Sequence, residues 1–168
     1  MASKYGTQVE AYEYVNEPNL GGPRYAPTAY GPELAAVYAA IKSVDSNLLV
    51  ATCGMGWDGA GKFSNWWPAA YNSGGKDHFD LFNCHLYNDP SAGNWTEAKN
   101  VYAQYGQGKP VIVTEAGAKG SAQTSVIPNA LHDPFAMTMC IYNMMPEVAG
   151  FNLWGNPGYA AYKNTPKT

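Results

Sequence analysis

The chain has 168 residues, with 10 Lys and Arg against 13 Asp and Glu, a formal charge of -3 and a pI near 5.5. That length suits one domain over 1–168, and 46% hydrophobic against 14% charged residues supplies a core while leaving too little charge for a disordered or phosphate-tracking chain. Nucleic acid is not an expected partner; neither is a membrane, because no apolar run approaches the roughly 18 residues of a span.

In chain order, the first apolar run is Val9 to Val15, which reads as a strand. A helix follows from Pro32 to Val44, with Leu34, Val37, Tyr38, Ile41 and Val44 on one face and Pro32 in its first turn. Leu48 to Cys53 is the second strand, and Ser64 to Tyr71 a short helix that stops at Asn72-Ser73-Gly74-Gly75. Trp66 and Trp67 lie in that helix and are expected in the core. Then come a strand from Phe79 to Leu86, a helix from Thr96 to Tyr105, and a strand from Pro110 to Thr114. A last helix over about 129–145 ends before Pro146 and leads to a fifth strand, Gly150 to Trp154. Strands separated by helical crossovers run parallel, because the crossover returns the chain in the same direction. The expected architecture is α/β, with five parallel strands alternating with helices. Cys53, Cys84 and Cys140 sit in apolar stretches without metal-ligand spacing, and their odd number argues against a disulfide framework, so buried thiols are expected.

In parallel α/β folds the chemistry sits beyond the carboxyl ends of the strands. Two of the five ends here carry a glutamate, in Asn16-Glu17-Pro18 and Thr114-Glu115-Ala116. A carboxylate in that place gains nothing for folding and is desolvated unless it is paired or used. Two carboxylates in one cleft can divide their duties between a general acid and an ionised nucleophile, which is the division that glycoside hydrolysis needs. The neighbours suit it: Asn16 for a sugar hydroxyl, Tyr87 as a donor to an ionised Glu115, and Trp154 as a ring face for a pyranose.

Asn16-Glu17-Pro18, His85-Leu86-Tyr87, Thr114-Glu115-Ala116-Gly117 and Leu153-Trp154-Gly155, in that order, resemble the (β/α)8-barrel glycoside hydrolases that carry the acid/base glutamate at strand 4 and the nucleophile at strand 7. Tyr5-Gly6 before the first strand, Phe79-Asp80 at the third and Tyr105-Gly106 ahead of Lys109 to Glu115 also resemble members of the cellulase-like and xylosidase-like families of that clan. The resemblance implies Glu17 as acid/base, Glu115 as nucleophile, Asn16 as partner of the sugar 2-hydroxyl, Tyr87 as hydrogen-bond donor to the nucleophile, His85 as a cleft residue and Trp154 as the sugar platform. It implies a retaining β-glycosidase acting on a β-linked glucan such as cellulose, or on xylan, without a cofactor. The competing reading is a non-catalytic carbohydrate-binding fragment of such an enzyme. The resemblance covers strands 4 to 8, a truncated TIM barrel, whereas a full barrel takes about 250 residues. Five parallel strands leave open edges, so a homodimer burying an apolar interface above about 1,200 Å² is expected.

Gly54-Met55-Gly56-Trp57-Asp58-Gly59 matches the dinucleotide pattern G-x-G-x-x-G, but no apolar-periodic helix follows it and no acid stands about 20 residues further on. Trp57 is better used as a second sugar-facing ring. His78 and His132 lie in loop-like contexts and are expected to be solvated, and no ligand spacing points to a metal.

Overall fold

A computed structural model describes residues 9, 11–20, 25–56, 62–87, 93–117 and 148–153. The expected 129–145 helix lies outside these residues, as do Trp57, His132, Cys140 and Trp154. Five strands follow one another along the chain: β1 (Ala11–Glu13), β2 (Leu49–Ala51), β3 (Phe82–Tyr87), β4 (Val111–Gly117) and β5 (Val148–Leu153). β1 pairs with β2, β3 with β4, and β4 with β5, all parallel. Isolated parallel bridges, Ala51 to Leu81 and Met55 to Cys84, link the two groups, so the strands stand side by side in chain order.

Three helices fill the first three crossovers: α1 (Pro27–Val44), α2 (Lys62–Ala70) and α3 (Gly93–Tyr105). α1 begins earlier than expected, with Pro27 in its first turn and Pro32 inside it. Pro32 cannot donate to the Thr28 carbonyl, but both residues are exposed and the helix continues through them. α2 ends in a wide turn over Tyr71–Gly75, where Gly74 takes φ of 134°. At its other end Glu97 of α3 reaches across, and its Oε1 accepts from the Phe63 and Ser64 amides at 3.0 and 2.8 Å. A carboxylate there satisfies two helix-terminal N–H groups and complements the dipole.

The core lies between strands and helices. Tyr30 and Leu34 of α1, Phe63 and Trp67 of α2, and Trp95 and Ala98 of α3 bury against Val50, Phe82, Cys84, Val111 and Val113. Trp67 meets Phe79 and Phe82 edge-on, each at 5.8 Å between centroids, so both tryptophans of α2 are core residues as expected. Val44, the last residue of the predicted apolar face of α1, stays 48% exposed. His78 is half-buried rather than solvated: its Nδ1 lies 2.9 Å from the Gly74 carbonyl oxygen and its ring meets Tyr38 edge-on. Cys53 and Cys84 are buried free thiols. No helix among the described residues is long and apolar enough to cross a membrane.

The amino ends of the strands are bolted by charge. The Asp80 carboxylate pairs with Lys42 at 2.8 Å and accepts the Val50 amide at 2.8 Å. Lys109 donates to the Phe79 carbonyl at 2.6 Å with its ammonium over the Phe79 ring.

Candidate active site

β1 ends at Glu13, two residues before the predicted end at Val15, because the backbone turns sharply there. Val15 and Glu17 take φ of 66° and 45°. A β-branched residue at positive φ is strained, by about 1–3 kcal/mol, and persists where its surroundings over-determine it. Here they do. The Glu17 amide donates to the Gly54 carbonyl at 3.0 Å, and the Leu20 amide to the Glu17 carbonyl at 3.0 Å. The buried Asn19 side chain accepts the Gly56 amide at 2.9 Å and donates to the Gly56 carbonyl at 2.5 Å. The loop after β1 is thereby clamped to the loop after β2, with Glu17 between them.

Two glycines make the room. A Cβ on Gly56 would stand 2.5 Å from Glu17 Oε1, and one on Gly54 would collide with the His85 ring and stand 3.0 Å from Glu13 Oε1. The amides of both glycines are engaged internally, Gly54 with Glu13 at 2.8 Å and Gly56 with Asn19. Neither is available to cradle a phosphate, which agrees with setting the G-x-G-x-x-G match aside.

β3 and β4 bring the second carboxylate. Asn83 stands opposite Ile112 and His85 opposite Glu115, so β4 has one residue more than β3 over this stretch. Such a bulge re-aims side chains. Val113 and Ala116 face the helices, while consecutive Thr114 and Glu115 both reach His85 on the other side. Glu115 thus lies inside β4, not beyond it as the sequence predicted.

His85 is fully buried and bridges the two glutamates: its Nδ1 lies 2.9 Å from Glu17 Oε1 and 3.7 Å from Glu115 Oε2. One carboxylate oxygen from each glutamate and the ring nitrogen all fall within 4.8 Å of one another. Both glutamates remain partly open, with side chains 31% and 26% exposed, so a ligand can reach them. The same three atoms are the group among the described residues that could ligate a divalent cation, although a cation there would displace the Glu17–His85 contact. Asn16 is exposed beside Glu17 and bridges to Gly54. Tyr87 ends β3 opposite Gly117, and the contact expected from its side chain lies outside the described residues, as do the rings of Trp57 and Trp154.

Asn19, Glu13, Thr114 and Asn83 were not singled out by residue type. Each acts through a backbone group or another side chain, and such partnerships follow no fixed spacing. The signal available for Asn19 was its place two residues after Glu17 in a turn-rich stretch. Behind the site, burial pushes the Cys84 thiol up to about 12 and the Cys53 thiol higher still. Neither is a thiolate nucleophile.

No family model matches the chain, and no curated protein matches it. Solved structures do. The fold is similar to that of a GH128 (subgroup V) exo-β-1,3-glucanase from Cryptococcus neoformans, with TM-score 0.61 and 14% identity over 88% of this chain and 56% of that one. A family 39 glycoside hydrolase from Bacteroides cellulosilyticus gives TM-score 0.58 and 20% identity over 86% of this chain and 33% of that one. A hyperthermostable endo-1,4-β-D-mannanase from Thermotoga petrophila gives TM-score 0.57 and 21% identity over 88% and 46%. The chain spans about half of these structures or less. What is shared at such identities is the fold: part of a TIM-barrel-like α/β architecture.

Proposed function

We propose that the chain carries the catalytic pair of a retaining β-glycosidase acting on a β-linked glucan or xylan. The observation that supports this most directly is the approach of a Glu17 and a Glu115 carboxylate oxygen to within 4.8 Å of each other, both beside Nδ1 of His85. Carboxyl groups about 5–5.5 Å apart suit a covalent glycosyl-enzyme, whereas inverting enzymes keep about 6.5–9.5 Å for a water between them. In the first step Glu115 attacks the anomeric carbon while Glu17 gives its proton to the leaving oxygen. In the second, Glu17 takes a proton from water, the hydroxide oxygen bonds to the anomeric carbon, and Glu115 leaves. In this reading Asn16, exposed beside Glu17, binds a sugar hydroxyl.

A second reading, a non-catalytic carbohydrate-binding fragment, is favoured by the partial coverage of the similar structures. Turnover of aryl β-glycosides separates the two. Activity abolished by Glu115→Ala and partly restored by azide, with an α-glycosyl azide as product, supports the retaining enzyme; sugar binding without turnover supports the fragment. Association with a second copy belongs to the enzyme reading, because β1 is paired on one side, by β2, among the described residues.

A further inference from the structure

Behind His85, on the face of the strands away from the helices, stands a row of polar side chains from three adjacent segments. Thr52, Asn83 and His85 are all fully buried. The Asn83 amide N–H donates to Thr52 Oγ1 at 2.7 Å, and the Thr114 amide N–H donates to Asn83 Oδ1 at 3.2 Å. Asn83 Nδ2 lies 2.9 Å from Thr114 Oγ1, which in turn lies 3.2 Å from His85 Nε2.

One group in this row has no choice of role. A backbone N–H can only donate, so the Thr114 amide fixes the near atom of the Asn83 side chain as its oxygen. Nδ2 is then the atom facing Thr114 Oγ1, and it too can only donate. With that lone pair taken, the hydroxyl proton of Thr114 has two acceptors in reach among the described residues, His85 Nε2 and Asn83 Oδ1, the latter at 3.1 Å. Pointing it at Oδ1 would return it to the amide that is already donating to the same hydroxyl, a cramped geometry, and would leave Nε2 to act as donor. The far side of the ring decides against that. Nδ1 faces Glu17 at 2.9 Å and Glu115 at 3.7 Å, two acceptors that reward an N–H there. Among the described residues the other carboxylate near the ring is Glu13, on the Nε2 side by Gly54, and its Oε1 is engaged by the Gly54 amide at 2.8 Å.

We propose that Thr114 is a positioning residue of the site: its hydroxyl donates to Nε2 of His85 and so holds the imidazole as the neutral Nδ1–H tautomer, which donates to Glu17. The chain of donors runs in one direction, from the Thr114 amide through Asn83 and the Thr114 hydroxyl to His85 and Glu17. No proton is transferred along it. Its effect is that Glu17 always meets a donor, whether as the carboxylate that accepts a proton from water or as the acid whose carbonyl oxygen accepts from Nδ1. This consequence rests on Glu17 being the acid/base; the tautomer itself does not.

The test is long-range 1H–15N correlation of the His85 ring, assigned with His78→Gln and His132→Gln variants. The wild-type chain is expected to show Nδ1 protonated and Nε2 bare. Asn83→Asp, which removes the Nδ2 donor and offers an acceptor to the Thr114 hydroxyl, is expected to move the proton to Nε2. Thr114→Val is expected to lose the single pattern and lower kcat/KM on aryl β-glycosides by about 10-fold or more, and Thr114→Ser to restore both. A wild-type ring protonated on Nε2, or an unchanged ring in Asn83→Asp, overturns the proposal even in a fully active protein. The expected ring pattern in a chain without turnover supports the tautomer and removes the glycosidase reading instead.

Discussion

Gly56→Ala tests the site by geometry, without touching a titratable group. The new methyl would stand 2.5 Å from Glu17 Oε1, 2.7 Å from its Cδ and 2.6 Å from Leu20 Cδ1. Restoring an ordinary contact of 3.4 Å requires about 0.9 Å of movement at the carboxylate. Gly56 itself cannot yield readily, because both its amide and its carbonyl are held by the buried Asn19. Glu17, at 31% side-chain exposure, is the softer partner and moves. A shift of that size along the Glu17–His85 contact would stretch it from 2.9 Å to about 3.8 Å, beyond hydrogen-bonding range. Misplacement of a reacting group by about 1 Å costs on the order of 10²-fold in rate, about 2.7 kcal/mol of barrier. The expected result is therefore a loss of about 10²-fold in kcat/KM on an aryl β-glycoside, with a melting temperature within about 4 °C of wild type. Full activity in Gly56→Ala would refute the placement of Glu17 described here. A loss of activity matched by unfolding would refute the view that the carboxylate, rather than the backbone, gives way.

Asp80→Asn, at the opposite ends of the strands, is expected to cost about 1–3 kcal/mol by removing the ion pair with Lys42, which keeps its bonds to the Ser46 and Leu48 carbonyls, and by weakening the Val50 contact, read as a lower melting temperature with KM unchanged. Because burial raises the Cys84 thiol to about 12 and Cys53 beyond it, both stay protonated near about pH 8 and resist iodoacetamide until the chain unfolds. The same shift makes folding favour the protonated thiols, so their contribution to stability is complete below the unfolded thiol value of about 8.5 and is lost as pH rises toward the folded values; denaturant midpoints that climb over that alkaline range would contradict this. Light scattering at micromolar concentration is expected to give the mass of a homodimer; a stable monomer would refute association through the β1 edge.

Much of the architecture could be read from residue order. Short apolar runs parted by amphipathic segments set five parallel strands and their crossovers, because burial on both faces requires apolar runs and parallel pairing requires returning helices. The two strand-end glutamates stood out for a similar reason: a carboxylate beside an apolar strand is costly, so it marks use or pairing. Tertiary structure decided what lies between them. That His85 bridges Glu17 and Glu115 depends on a bulge in β4 that turns consecutive Thr114 and Glu115 the same way. That Glu17 meets His85 depends on two positive-φ residues held by Asn19 and by glycines on another loop. These are contacts over 29 to 68 residues of chain. Periodicity reports the face on which a side chain lies because it reflects local geometry. It carries no record of a bulge, a clamped loop or a shared hydrogen bond, each of which is set by groups that meet only when the chain has folded.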